Sequence, residues 1–174
     1  YINRAADAGW VNGVGGGLFQ PDGTLTRAMF VTMLAGLAGV DEADYPGSTF
    51  SDVPVGQWYA PSVAWAASEG IVSGTGDGRF EPNRNITRQE MAQIMAGYLA
   101  WKGVDTHPTA DPSAYNIPDR ADIAPWALDS VCFCYEKGLL SGGDHGFAPL
   151  DNATRAQACV VLCGLNDFLR KTEG

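Results

Sequence analysis

The sequence predicts an all-α protein made of three copies of one helix-loop-helix unit. Three observations carry that expectation: a set of spaced residues that recurs three times, a glycine-rich loop within each copy, and apolar residues at helical spacing after it. The stretch 69–88 matches an earlier one at a constant offset of 61, so Gly9, Gly13, Phe19, Pro21, Thr26 and Arg27 stand where Gly70, Gly74, Phe80, Pro82, Thr87 and Arg88 stand later. A third copy follows Gly138, with Gly142, Phe147, Pro149, Thr154 and Arg155 in the same order and one residue fewer across the glycine loop. The segment ahead of the loop repeats as well: Phe50-Ser-Asp-Val with Trp58 is echoed by Ile117-Pro-Asp-Arg with Trp126. Its counterpart in the first copy would fall before Tyr1, which points to a trimmed or processed start.

Each element has a local reason. A first helix, near 59–69 and 126–137, should stop at Gly70 or Gly138, since glycine suits the left-handed residue that closes a helix. A loop of Gly, Asp and Pro follows. The second helix should open at Thr87, with Met91, Ile94, Met95, Tyr98 and Leu99 on one face. Phe30, Met33, Leu34, Leu37 and Ala38 repeat that stripe in the first copy, and Ala158, Val161, Leu162 and Leu165 do so in the third. One amphipathic pair cannot bury its apolar face alone, so the copies should close around a shared core with the second helices innermost; three loosely tandem units are the alternative. Stretches 40–49 and 103–116, rich in Pro, Asp and Thr, read as surface linkers inside one domain, 1–174, divided into repeats 1–45 (truncated), 46–110 and 111–174.

Composition narrows the function. With 174 residues, the chain is one domain's length and can bury roughly 70% of its unfolded surface. No apolar run approaches the length of a membrane span, and the first residues lack a basic-then-apolar signal segment. Twenty acidic against 11 basic side chains, net −9, disfavour nucleic acid and anionic lipid. An anionic partner must therefore be held by local groups.

Arginine supplies such a group. Thr87-Arg-Gln-Glu90 is a capping box, Thr154-Arg-Ala-Gln157 keeps it with Gln, and Thr26-Arg-Ala-Met29 has lost the reciprocal partner. Arg27, Arg88 and Arg155 thus fall at the first helical position, where a cation is unfavourable by about 0.3–1 kcal/mol. A guanidinium beside free backbone N–H groups is what recognises a carboxylate or phosphate. The competing reading pairs each arginine with an internal acid such as Asp52 or Asp119. The glycine loops 12–17, 73–78 and 141–146 suit a polar ligand, and tight turns alone also explain them. They lack the Gly-Lys-Ser/Thr ending of a phosphate-binding loop and the carboxylates of a calcium loop.

Phe50-x-Asp-Val, Trp58, Gly70-Ile, Gly74, Asp77-Gly-x-Phe80-x-Pro and Ile86-Thr-Arg-Gln-Glu90 together resemble the S-layer homology (SLH) repeat, whose hallmark is an Ile-Thr-Arg-Ala-Glu box. The resemblance covers nearly the whole chain, three copies making one SLH domain. It implies a pseudo-threefold arrangement around a central three-helix bundle of the Thr-Arg helices. It also implies an extracellular place at the bacterial cell surface or wall, and non-covalent attachment to a secondary cell-wall polysaccharide, often capped by a pyruvylated amino sugar. Carried over by position, the box arginine is Arg88, Arg155 or Arg27, with Arg88 ranked first because the neighbouring copies depart from the pattern. The groove glycine is Gly74, Gly142 or Gly13. Trp58 and Trp126 are available as ring platforms, core packing being the commoner role of a Trp in an apolar segment.

Other chemistry has weaker support. Cys132, Cys134, Cys159 and Cys163 all lie in the third copy, opposite Ala64, Ala66, Ala92 and Ala96 of the second. Small buried thiols explain them; a disulfide between the two helices and a zinc site are the alternatives. His107 and His145 stand apart from any triad, and Glu69, Glu81 and Glu136 form no carboxylate pair that can be placed in one cleft, so neither an enzyme nor a cofactor is expected. The rival function is a protein-interaction scaffold built on the same repeats, which leaves room for self-association.

Overall fold

The computed structural model describes residues 1–13, 18–143 and 146–172. Among these residues six α-helices follow one another: α1 (Ile2–Asp7), α2 (Arg27–Ala38), α3 (Ala60–Ser68), α4 (Arg88–Trp101), α5 (Leu128–Glu136) and α6 (Arg155–Thr172). Single 3-10 turns at Glu42–Asp44, Pro112–Ala114, Arg120–Asp122 and Pro125–Ala127 shape the connections. Among the described residues there is no sheet, only isolated bridges. The protein is all-α, as its periodicity predicts.

Local chemistry sets the helix ends. Gly70 and Gly138 close the turns after α3 and α5 at φ +70° and +65°, which a side chain would strain. Thr87 caps α4, and the box closes when Glu90 accepts the Thr87 N–H at 3.0 Å. Gln157 does the same for Thr154 at 3.1 Å, whereas Thr26 caps α2 with no return bond from Met29. The expected stripes point inward: Met91, Ile94, Met95, Tyr98 and Leu99 are buried, as are Ala158, Val161, Leu162 and Leu165. Phe30, Met33 and Leu34 are buried too, with Leu37 and Ala38 packed against the same core.

The helices pack mainly between copies, while Trp65 of α3 stands edge-on to Trp101 of α4 within the second copy. The second helix of one copy lies against the first helix of the next, α2 on α3 and α4 on α5. The last copy returns to the first: α6 packs on α1, and Arg4 meets Asp167 with two side-chain bonds of 2.5 and 2.8 Å. The helix α2 also touches α6, so the second helices share one hydrophobic core.

Candidate functional site

The start of each second helix docks on the loop of the following copy. The N–H groups of Arg27 and Ala28 donate to Arg84 O and Pro82 O, those of Arg88 and Gln89 to Asp151 O and Pro149 O, and those of Arg155 and Ala156 to Gly23 O and Pro21 O, all at 2.9–3.2 Å. This corrects one expectation. The helix-start N–H groups are not free for a ligand, because burial between copies requires a protein acceptor for each of them.

The three arginine side chains repeat the pattern. Arg88 Nε donates to Phe147 O at 2.8 Å and Nη2 to Ser141 O at 2.6 Å, with the guanidinium carbon 5.0 Å from the Phe147 ring centre. Arg155 Nε donates to Phe19 O and Nη2 to Asn12 O, 4.6 Å from the Phe19 ring centre. Arg27 Nε donates to Phe80 O, but its Nη1 reaches Glu90 at 3.2 Å instead of a second carbonyl. All three residues are buried, at 5%, 9% and 5% exposure for Arg27, Arg88 and Arg155. Burial draws each pKa below its ordinary value; Glu90 opposes this at Arg27, and Asp151 and Asp119 oppose it at Arg88. Of the two readings open in the sequence, pairing with Asp52 or Asp119 is not what forms. Among the described residues, Arg88 and Arg155 have no carboxylate partner, and Arg27 has Glu90.

Asp52 and Asp119 hold the loops instead. Asp52 accepts the N–H groups of Phe80 and Glu81, both at 2.8 Å, and Asp119 those of Phe147 and Ala148 at 2.7 and 2.6 Å. Burial raises both carboxyl pKa values, but these N–H bonds outweigh it and carry them below the usual range. Each aspartate thereby fixes the turn at Glu81 or Ala148, which sits at positive φ without being glycine, as Gln20 does in the first copy. The signal was present as the repeated aspartate of the leading segment, but its acceptor role toward backbone was not.

Two cavities open beside these joints. One, of about 470 Å³, is bordered by Arg88, Ser141, Gly142, Asp151, Gln157 and Val160. The other, of about 660 Å³, brings together Arg27, Gly74, Arg84, Glu81, Glu90 and Trp126. The structure therefore groups Arg27 with Gly74 and Trp126 from three different copies, and Arg88 with Gly142. Arg155 lies beside Asn12, next to the exposed Gly13, while 14–17 of that loop fall outside the described residues. Trp58 and Trp126 are 55% and 56% exposed, so neither serves as core; Trp58 stands edge-on to Tyr59. The glycines answer first to the loop itself, since a Cβ on Gly74 would lie 2.5 Å from Arg79 O and one on Gly142 2.4 Å from Gly146 O.

Sequence reasoning missed Arg84. Its Nε donates to Glu81 at 2.7 Å, and its Nη atoms to Glu90 at 2.5 and 3.2 Å. Glu81 and Glu90 thus do share a cavity, but one arginine ties both. Burial raises the Glu90 pKa, and the bonds from Arg84, the Thr87 N–H and Arg27 more than reverse this, so it stays ionised rather than acting as a proton donor. Glu69 accepts from Trp101 Nε1, and Glu136 is pulled down to about 2, first by Lys137 and then by Tyr115 and Thr109. The four cysteines are buried and unbonded to one another, burial pushing Cys134 up to about 12. Among the described residues no group of three or more His, Cys, Asp or Glu could hold a metal. His107 is exposed beside Asp105, and Asp144 and His145 lie outside the described residues.

Known proteins match over most of this chain. It is 34% identical to an amylopullulanase of Thermoanaerobacterium thermosulfurigenes over 84% of its own length and 8% of that enzyme. It is 32% identical to the S-layer protein sap of Bacillus anthracis over 92% of its own length and 19% of that protein. It is 27% identical to a cellulosome-anchoring protein of Acetivibrio thermocellus over 89% of its own length and 35% of that protein. The chain spans less than a fifth of the first two. Surface-layer and anchoring relatives indicate a cell-surface or cell-wall location and an anchoring role, and other relatives are named as enzymes. With the S-layer homology domain model matching at 1–29, 49–92 and 116–159, once in each copy, the chain belongs to the S-layer homology family.

Proposed function

We propose that this chain attaches its carrier to the cell wall by non-covalent binding of an anionic secondary polysaccharide, the recognised group being a pyruvylated amino sugar. The repeats are then 1–45, 46–110 and 111–174, set in a pseudo-threefold arrangement around the second helices, which the cyclic order of docking supports. The ligand grooves lie at Arg88, Arg155 and Arg27, with Gly74, Gly142, Gly13, Trp58 and Trp126 shaping them.

One observation carries this reading: the Arg27 cavity sets two arginines, each paired with a glutamate, beside a half-exposed Trp126 ring, so exchange of one glutamate for a sugar carboxylate would combine charge with the flat apolar face that an acidic sugar requires. No bond is made or broken, and the protein supplies only position and charge. Retention on immobilised, pyruvylated wall polysaccharide tests it. The chain should be held by the intact glycan and released when the pyruvate ketals are removed; equal retention on both would overturn the reading.

A further inference from the structure

The two cavities carry opposite charges at one equivalent position. The carbonyl that receives the helix-start N–H belongs to Arg84 in the Arg27 joint, to Asp151 in the Arg88 joint and to Gly23 in the Arg155 joint. Arg84 and Asp151 each line the cavity beside them.

This difference matters because the buried arginines are tied to the loops beside them. Arg27 gives two of its five N–H groups to Phe80 O and Glu90, Arg88 two to Phe147 O and Ser141 O, and both are nearly closed off from solvent. Arg84 is different: its side chain is 39% exposed, and it is held in place by Glu90, which the capping box and Arg27 fix in turn. Among the described residues its Nε edge is covered only by Glu81, itself one-third exposed. A surface pair of that kind contributes about 0–1 kcal/mol, so an incoming carboxylate can take the place of Glu81 at little cost. Trp126 borders the same cavity and offers a face to the sugar ring. In the other cavity Asp151 offsets the charge of the buried Arg88, and with Gln157 and Asn152 it offers acceptors suited to hydroxyl groups.

We propose that Arg84 is the residue that selects the anionic sugar, so that the Arg27–Trp126 cavity takes the carboxylate and the Arg88 cavity takes uncharged sugar. The assignment rests on the glycan-binding reading above and reverses the order in which the sequence ranks the arginines.

Calorimetric titration tests it, using methyl glycosides that carry a ketal pyruvate, a uronic carboxylate or neither, and the whole chain. The wild type should prefer the acidic glycosides; preference for the ketal over the uronic acid identifies pyruvate as the source, and equal binding identifies any sugar carboxylate. Arg84→Gln, titrated at a temperature where circular dichroism shows it folded, should weaken acidic-sugar binding by roughly tenfold and leave the neutral sugar unaffected. Glu81→Gln, a change the left-handed backbone accepts because Gln20 occupies that position in the first copy, should tighten acidic-sugar binding by roughly threefold. A wild type without acidic preference overturns both the glycan reading and this assignment. A wild type with that preference, unaltered in Arg84→Gln, overturns the assignment alone. Should Arg84→Gln not fold, Glu81→Gln decides, and unchanged or weaker binding overturns it.

Discussion

Helices α2 and α3 meet as α4 and α5 do, yet polar bonds differ between the two joints. Across α4–α5 the Ser130 hydroxyl donates to Gln93 at 2.8 Å, and Gln89 accepts the N–H of Ala124 at 2.9 Å. In the α2–α3 joint the equivalent residues are Thr32, Ser62 and Ala28, and the hydroxyls of Thr32 and Ser62 are buried with no partner among the described residues. Both joints form nonetheless. Apolar packing and the backbone clasp set the geometry, and side-chain polar pairs only adjust its strength.

Backbone contact should therefore produce the largest effects. A Cβ on Gly97 of α4 would lie 2.6 Å from the carbonyl oxygen of Ile71, just after α3, so Gly97→Ala should cost about 3 kcal/mol by forcing α4 off that segment, read as a lower urea midpoint. A loss below 1 kcal/mol would show that this contact within the second copy yields more easily than its spacing implies.

Loop anchoring ranks next. Asp119→Ala strands the N–H groups of Phe147 and Ala148 and should cost about 2 kcal/mol, also loosening the floor of the Arg88 cavity. Acid should act in the same way. Asp52, Asp119 and Glu90 have folded pKa values below their ordinary ones, so the stability they add is complete above the usual carboxylate range and is lost as pH falls through the folded values. Urea midpoints should accordingly vary little from pH 7 to 5 as far as these groups are concerned, and drop below about pH 4. The drop should be smaller in Asp119→Asn.

Polar repair of the weaker joint is the third test. Thr32→Gln copies the Gln93–Ser130 bond into α2–α3 and should raise stability by about 1 kcal/mol. No gain would mean that Ser62 is satisfied in another way. The smallest effect belongs to Gly164 of α6, the equivalent of Gly97, where a Cβ meets only Leu139 at 3.9 Å. Gly164→Ala should stabilise the chain by about 0.5–1 kcal/mol through helix propensity alone, the opposite sign to Gly97→Ala.

Much of this architecture could be read from the sequence because its causes are local. Thr87 with Glu90, Gly70, Gly138 and the stripe from Met91 to Leu99 depend on neighbours a few residues away. The arginine contacts were not legible, since Arg88 and Arg155 find their carbonyls 53 and 143 residues away, and a backbone oxygen leaves no mark in the sequence. Trp126 shows the same limit: its apolar surroundings suit a core residue, and only the placement of three copies around it leaves the ring half open. Arg84 was the accessible omission, because the repeat register alone sets it against Gly23 and Asp151.

The docking order 1 to 2, 2 to 3 and 3 to 1 distinguishes this chain from an open stack of repeats. A linear array exposes an unfinished face at each end and needs special units to cover it. Here α6 and Arg155 return to α1 and the first loop, so every unit is both host and guest. A further copy could enter this ring only by displacing one of the three contacts.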